Sequence, residues 1–387
     1  MIETSSVEVK KYFTTMGLIF KTNETPFTLG VEVELQLLDA NTFELTPRAS
    51  ELLAAMEHPQ IIKEMFSSTV ELVTGVCKNA HEAAAEIDFL KRRIVEWGNR
   101  EGVIFSSTGT HPTGDFNERV VMPSERYVEL LDRNQWLIRR MAVYGLHIHI
   151  GMRNGDECIQ FANYFLKQLP YFLALSASSP FWNKSDTGLD CVRPTMYESH
   201  PTSGMPYLAN DWSDLENLYD DLIRTGSIQS MKDIWWDLRP SPGYGTLELR
   251  MCDMPATQEE LNAVVALAHL MALDFDRKKS IETGVPRRWL LRENKWRAIR
   301  YSIDAEIISH KDLHVFSLRD GLVEFLNEVK DLIQEYGYQD QEIVIREILE
   351  FGNSAKRQRK VFEEKGELTS VARFNAEEFA LGKMKKS

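Results

Sequence analysis

Short runs of alternating polar and apolar residues recur along the first two thirds of the chain, separated by longer runs with helical spacing. Residues 27–38 (FTLGVEVELQLL) predict a strand, and 39–47 a turn with a hairpin-like return. Residues 67–76 (SSTVELVTGV) predict a second strand. Asn79 is the right residue to cap the following amphipathic helix, which Gly102 ends. Residues 102–107 predict a strand, 124–144 a helix and 145–151 (GLHIHIG) another strand. Helices are expected over 156–176, strands at 234–238 and 246–252, and helix almost throughout from Thr257. Residues 178–210 carry many Pro, Gly, Ser and Thr and read as a long loop of the kind used for lids or binding. Together the pattern predicts an α+β fold with a largely antiparallel sheet and a helical C-terminal third.

Three of these strands carry paired charge. Glu32 and Glu34, His147 and His149, and Glu248 and Arg250 each stand two residues apart, with apolar neighbours between them. Residues two apart on a strand share a face, so each pair is aimed together while its neighbours enter the core. One such pair fits a solvated strand face or two structural histidines; three in one chain favour a site. Crowded carboxylates cost several kcal/mol to bury unless a cation accompanies them. Mg²⁺ or Mn²⁺ suits an oxygen-rich set, to which Glu71 adds another carboxylate. Zinc is the next candidate, but the remaining histidines form no second HxH or HxxxH set.

Composition narrows the partners. A formal charge of −13 argues against nucleic acid, although local arginines or metal ions can still attract an anionic substrate. Cys77, Cys158, Cys191 and Cys252 are scattered without CxxC spacing, which argues against a disulfide framework and fits a reducing, cytoplasmic setting. The first residues (MIETSSVEVKKYF) do not read as a leader, and no apolar run is long enough for a membrane span. Neither GxxxxGK[ST] nor a strand-linked GxGxxG occurs, so a nucleotide would have to be held by metals and arginine. Arg239 and Arg250 offer the planar, permanently charged contacts a phosphoryl group needs. The basic run over 279–300 reads as a solvated helix face, and 383–387 as a frayed tail.

GVEVEL, GLHIHIGM and TLELRMCD, in this order, resemble the metal- and ATP-binding strands of the glutamine synthetase / glutamate–cysteine ligase superfamily. STGTHPTGD, the stretch from Ser176 to Pro206, WWDLRPSPGYGTLELRMCD and ENKWRAIRYSIDA narrow the resemblance to the YbdK-type carboxylate–amine ligases, the type 2 glutamate–cysteine ligases. GNSAKRQRKVF extends it less specifically. The resemblance implies a curved antiparallel sheet forming a funnel, in one domain over 1–387 with a catalytic core at 22–305 and C-terminal helices at 306–387. It further implies ATP, Mg²⁺ or Mn²⁺, small acid and amine substrates, and a homodimer.

Residue by residue, it implies that Glu32 and Glu34 are shared among divalent ions. His147 and Glu248 would join Glu32 at the ion on the ATP phosphates, and Glu71 would complete the ion nearer the amine. His149 would contact a phosphate, Arg239 and Arg250 the transferred phosphoryl group, and Arg193 the carboxylate of the amino-acid substrate. The loop sequence DCVRPTMYESH departs from the usual SRT-like triplet, which leaves the amino-acid preference open. The expected activity is glutamate–cysteine ligation through an acyl-phosphate. Alternatives are another acid and amine pair, a guanidino phosphotransferase, or a non-catalytic metal- or nucleotide-binding regulator.

Overall fold

Val31, Val33 and Leu35 face the core from strand β1 (Leu29–Asp39), and Glu32 and Glu34 alternate with them as a period of two requires. A computed structural model describes residues 18–278 and 285–385. The readings of the first residues, of 279–284 in the basic run and of 386–387 in the tail lie outside those described.

β1 is the hub of a seven-stranded sheet. β2 (Ile61–Lys63) and β3 (Thr69–Val73) form a hairpin on one side of it, β4 (Val103–Ser106) pairs with its end, and β5 (Gly145–Gly151) pairs with its beginning. β6 (Leu238–Ser241) and β7 (Thr246–Asp253) extend the sheet beyond β5. The order is β6-β7-β5-β1-β3-β2, antiparallel throughout.

Helices cover the apolar side of this sheet. Helix α1 (Ala80–Glu101) starts where Asn79 accepts a hydrogen bond from the Glu82 N–H at 3.0 Å, and stops at Gly102 with φ of 70°. One continuous core joins the sheet to the helical third, from Phe27 to Met384.

The predicted helix over 124–144 breaks at Gln135, whose φ of 50° is incompatible with helix; α2 (Glu125–Asn134) and α3 (Trp136–Arg139) result. The predicted loop at 178–210 holds a short hairpin (Phe181–Trp182 with Ser185–Asp186) and helix α4 (Arg193–Glu198), whose Pro194 suits a first turn. Ser203–Gly204 pairs in parallel with Trp235–Trp236, so the strand expected at 234–238 is divided between that ladder and β6. In the last third, mainly helical as predicted, Glu306–Ile308 and Val315–Ser317 form a small hairpin.

Buried charge ties the layers together. Arg357 on helix α7 (Ser354–Lys365) holds Glu260 of helix α5 (Gln258–Arg277) at 2.9 and 3.1 Å, and Glu378 of helix α8 (Leu368–Leu381) at 2.9 and 3.0 Å. Lys295 on helix α6 (Arg288–Tyr301) reaches Asp237 and Glu198, each at 2.6 Å. The four cysteines are free and buried, consistent with the absence of a disulfide framework.

Candidate functional site

Strand register decides which side chains meet. Arg239 of β6, Glu248 of β7 and His149 of β5 stand opposite one another in a row that continues to Gly30 of β1, which adds no side chain. Glu32 pairs with His147 in the adjacent row, and Glu34 pairs with Glu71 on the other side of β1. The β7–β5 register slips between Leu249 and Cys252. Arg250 lies in that slip, a device that re-aims a side chain.

These side chains stand around a cavity of about 580 Å³. Glu32, Glu34, Glu71, His147, His149, Arg239 and Arg250 line it. Glu248 is fully buried behind them: it accepts from Arg239 at 2.7 and 2.8 Å, from Ser241 at 3.2 Å and from Arg250. Arg193 is also off the wall. It sits on α4 at 1% exposure, donating to the Arg250 carbonyl at 2.8 Å and to His147 Nε2 at 3.3 Å. A Cβ at residue 145 would fall 2.1 Å from its guanidinium, so Gly145 is what admits it.

Electrostatics separate the carboxylates into two kinds. Burial would raise Glu32, but hydrogen bonds with His147 at 3.0 Å and His149 at 3.2 Å outweigh it and hold the carboxyl well below its usual range. Glu248 is likewise lowered, burial being overcome by Arg250 and Arg239. Glu34 goes the other way, to about 7, from burial and the nearby Glu64 charge. Glu71 is raised well above its ordinary value by burial and the charges of Glu64, Glu32 and Glu34. Burial raises Glu64 too. Burial beside Arg250 pushes His147 down to about 4, so it is neutral near pH 7. With Arg193 donating to Nε2, its proton belongs on Nδ1, facing Glu32. His149 is raised: burial opposes its charge, but Glu248 and Glu32 outweigh that.

Ligand atoms gather in three groups, each within 4.8 Å: Glu32, His149 and Glu248; Glu32, Glu71 and His147; Glu34, Glu64 and Glu71. His149, where the sequence reading placed His147, thus stands with Glu32 and Glu248, and His147 stands with Glu71. An oxygen-rich set whose carboxylates resist ionisation without a counter-charge fits Mg²⁺ or Mn²⁺ well. Arg250 Nε and Thr69 Oγ1, on two residues of the wall, are buried without a hydrogen-bond partner. Such atoms are costly unless a ligand satisfies them.

Glu64 was not found from sequence. It follows a three-residue strand, so no alternation announces it; its only signal is the Ile62–Glu71 pairing of the β2–β3 hairpin. Of the aromatic residues, Phe66, Tyr127, Tyr197, Trp235 and Tyr244 line the cavity, whereas Trp236 and Phe181 are buried and Trp182 stacks on Phe116. His111 is buried against the Phe43 carbonyl at 3.0 Å, away from the cavity wall.

A family model described as "Glutamate-cysteine ligase family 2" matches residues 28–373. A protein of Bdellovibrio bacteriovorus named "Putative glutamate--cysteine ligase 2" is 40% identical over 89% of this chain and 92% of its own. One of the same name from Thermobifida fusca is 36% identical over 92% of this chain and 91% of its own. In fold, the chain is similar to a glutamate–cysteine ligase of Francisella tularensis in complex with AMP, with TM-score 0.67 at 12% identity over 95% and 91% of the two chains. A bifunctional glutathione synthetase of Pasteurella multocida gives 0.66 at 15% identity, over 92% of this chain and 53% of that one. The α+β ligase fold expected from the sequence is therefore the observed one.

Proposed function

The chain belongs to the glutamate–cysteine ligase family 2, and with that membership as premise we propose that it joins the side-chain carboxylate of glutamate to an amine, cysteine among them, at the expense of ATP. The observation that carries this reading is the cavity itself: four crowded carboxylates beside two arginines that converge on Glu248.

A carboxylate is a poor electrophile, so it needs activation. Its oxygen attacks the γ-phosphorus of ATP; the O–P bond forms, the bond to ADP breaks, and ADP leaves. The amine nitrogen then attacks the acyl carbon. The C–N bond forms, the C–O bond breaks, and phosphate departs with that oxygen and the amine proton. The ammonium form of the amine gives up its first proton to solvent.

Little covalent chemistry falls to the protein, which positions groups and stabilises charge. We assign Arg239 and Arg250 to the transferred phosphoryl group, and read His149, to which the resemblance gives a phosphate contact, as a ligand of the ion on that phosphate instead. Mg²⁺ or Mn²⁺ held by Glu32, Glu34, Glu64, Glu71, His147, His149 and Glu248 would neutralise phosphate charge. Arg193, implied by resemblance to bind the substrate carboxylate, is read instead as a brace beneath His147 and β7. No protein nucleophile is required, and burial pushes the Cys252 thiol up to about 12 and that of Cys77 to about 11.

The same reading takes the chain as one domain, its core over 22–305 and its helices over 306–387, and as a cytoplasmic homodimer. No helix among the described residues is long and apolar enough to cross a membrane. Trp289, Trp296 and Tyr301, exposed on α6, offer apolar surface for a second copy, which sedimentation would test.

ADP release with Mg²⁺, measured over a matrix of acids and amines that includes glutamate and cysteine, tests the ligase reading. Release that requires both an acid and an amine supports it. No release with any pair, with Mn²⁺ also tried and nucleotide still bound, would replace it with the binding-protein alternative.

A further inference from the structure

The two ends of the cavity differ in chemistry. At one end stand Arg239, His149 and the turn from Pro240 to Tyr244, a polar setting for phosphates. The other end, beyond Glu34, Glu64 and Glu71, is walled by Met65, Phe66, Leu130, Ile138, Met141 and Val143. Tyr127 belongs to this end: it packs against the cluster of Met65, Phe66, Ile138, Met141 and Val143 and lines the same cavity as the three carboxylates.

Helix α2 explains why this wall is more than ordinary packing. Its apolar residues Tyr127, Leu130 and Leu131 lie on one face, yet none of its residues is buried. Tyr127 and Leu130 are half-buried and look into the cavity, so the protein covers that face only in part. An amphipathic helix gains its stability from covering such a face. Its neighbour Arg126 also lines this end, and among the described residues it has no carboxylate partner.

From this geometry, and resting on the ligase reading, we propose that the acceptor amine is an α-amino acid with a large apolar side chain, of the leucine or phenylalanine class. Its side chain lies on Leu130, Ile138 and Met141, its carboxylate on Arg126, and its amine beside Glu34, Glu64 and Glu71. The ligation step is the one written above, with this nitrogen forming the C–N bond. Cysteine, with one small side-chain group, leaves most of the wall uncovered.

The experiment measures ADP release with ATP, Mg²⁺ and glutamate, varying leucine, phenylalanine, cysteine and phenethylamine, which lacks the carboxylate of phenylalanine. Leucine or phenylalanine is expected to show a KM at least about tenfold below that of cysteine, the scale on which apolar pockets discriminate. Leu130→Asn should raise the KM for leucine and phenylalanine about tenfold, while the KM for ATP moves less than about twofold. Arg126→Met should bring phenylalanine to the KM of phenethylamine. A cysteine KM below those of leucine and phenylalanine in the unmodified enzyme overturns the inference and leaves the ligase reading standing, whether or not the variants fold. Absence of ADP release with every pair overturns both.

Discussion

Among the clusters of buried charge in the described residues, two are built on opposite plans. Around Arg357, two carboxylates meet one guanidinium through paired hydrogen bonds, and the Gly352 carbonyl takes a further one at 3.1 Å. At the cavity, Glu34, Glu64 and Glu71 face one another, with Glu34 raised to about 7 and Glu71 raised well above its ordinary value by burial and the neighbouring carboxylates. The first cluster is complete within the protein. The second is complete only with something added. Burial alone does not distinguish architecture from function; the state of the partners does.

The largest contrast lies in Glu34 and Arg357 themselves. Glu34→Ala is expected to lower kcat for ADP release by about 10²–10³-fold, the scale of losing one preorganised charge contact. It should not lower the metal-free melting temperature, because a repelling carboxylate has been removed. Arg357→Met should do the reverse. It leaves two buried carboxylates without their partner, at a cost of about 3–5 kcal/mol measured by urea unfolding, with kcat near that of the parent at low temperature. If both variants lose stability equally and neither loses turnover, the two clusters are of one kind.

A pH series with and without Mg²⁺ sharpens the difference. The folded pKa of Glu34 is raised from 4.5 to about 7, so between those values the native state holds more protons than the unfolded chain. Metal-free stability should therefore fall as pH rises through this window, by roughly 2–3 kcal/mol from this group. Mg²⁺ binds the ionised form, so its effect on melting temperature should grow from pH 5 to pH 8. A Mg²⁺ effect independent of pH would count against the carboxylates as its site. Smallest of all is a control at the surface: Arg100→Ala, breaking an exposed pair with Glu96 at 3.0 Å, should shift neither melting temperature nor turnover measurably.

Much of this contrast was legible in the chain. Alternation in β1, β5 and β7 placed Glu32, Glu34, His147, His149, Glu248 and Arg250, because a period of two is local information. The rows were not legible, since register depends on partners far along the chain; Glu248 therefore meets His149 directly rather than His147. Glu64 escaped because three residues of strand carry no period. Arg193 reads as a loop residue because 178–210 is rich in Pro, Gly, Ser and Thr, yet a proline such as Pro194 in the first turn of a helix is compatible with it. Gln135 gave no warning of the break between α2 and α3, since glutamine is a good helix former and only its φ of 50° departs from helix.

The strand order β6-β7-β5-β1-β3-β2 has a consequence for synthesis. During translation Glu32, Glu34, Glu64 and Glu71 emerge early, on or directly after strands that are neighbours in both sequence and space. The histidines follow on β5, and Arg239 and Arg250 come later still, yet β7 must insert between β5 and β6. A nascent chain thus carries the mutually repelling half of the site well before its positive half exists. The pairings that unite them are long-range, and long-range strand pairing is slow. Divalent cations present in the surrounding solution during synthesis would screen that early half, so any such ion that the finished cavity binds would also favour the folding of the strands that build it.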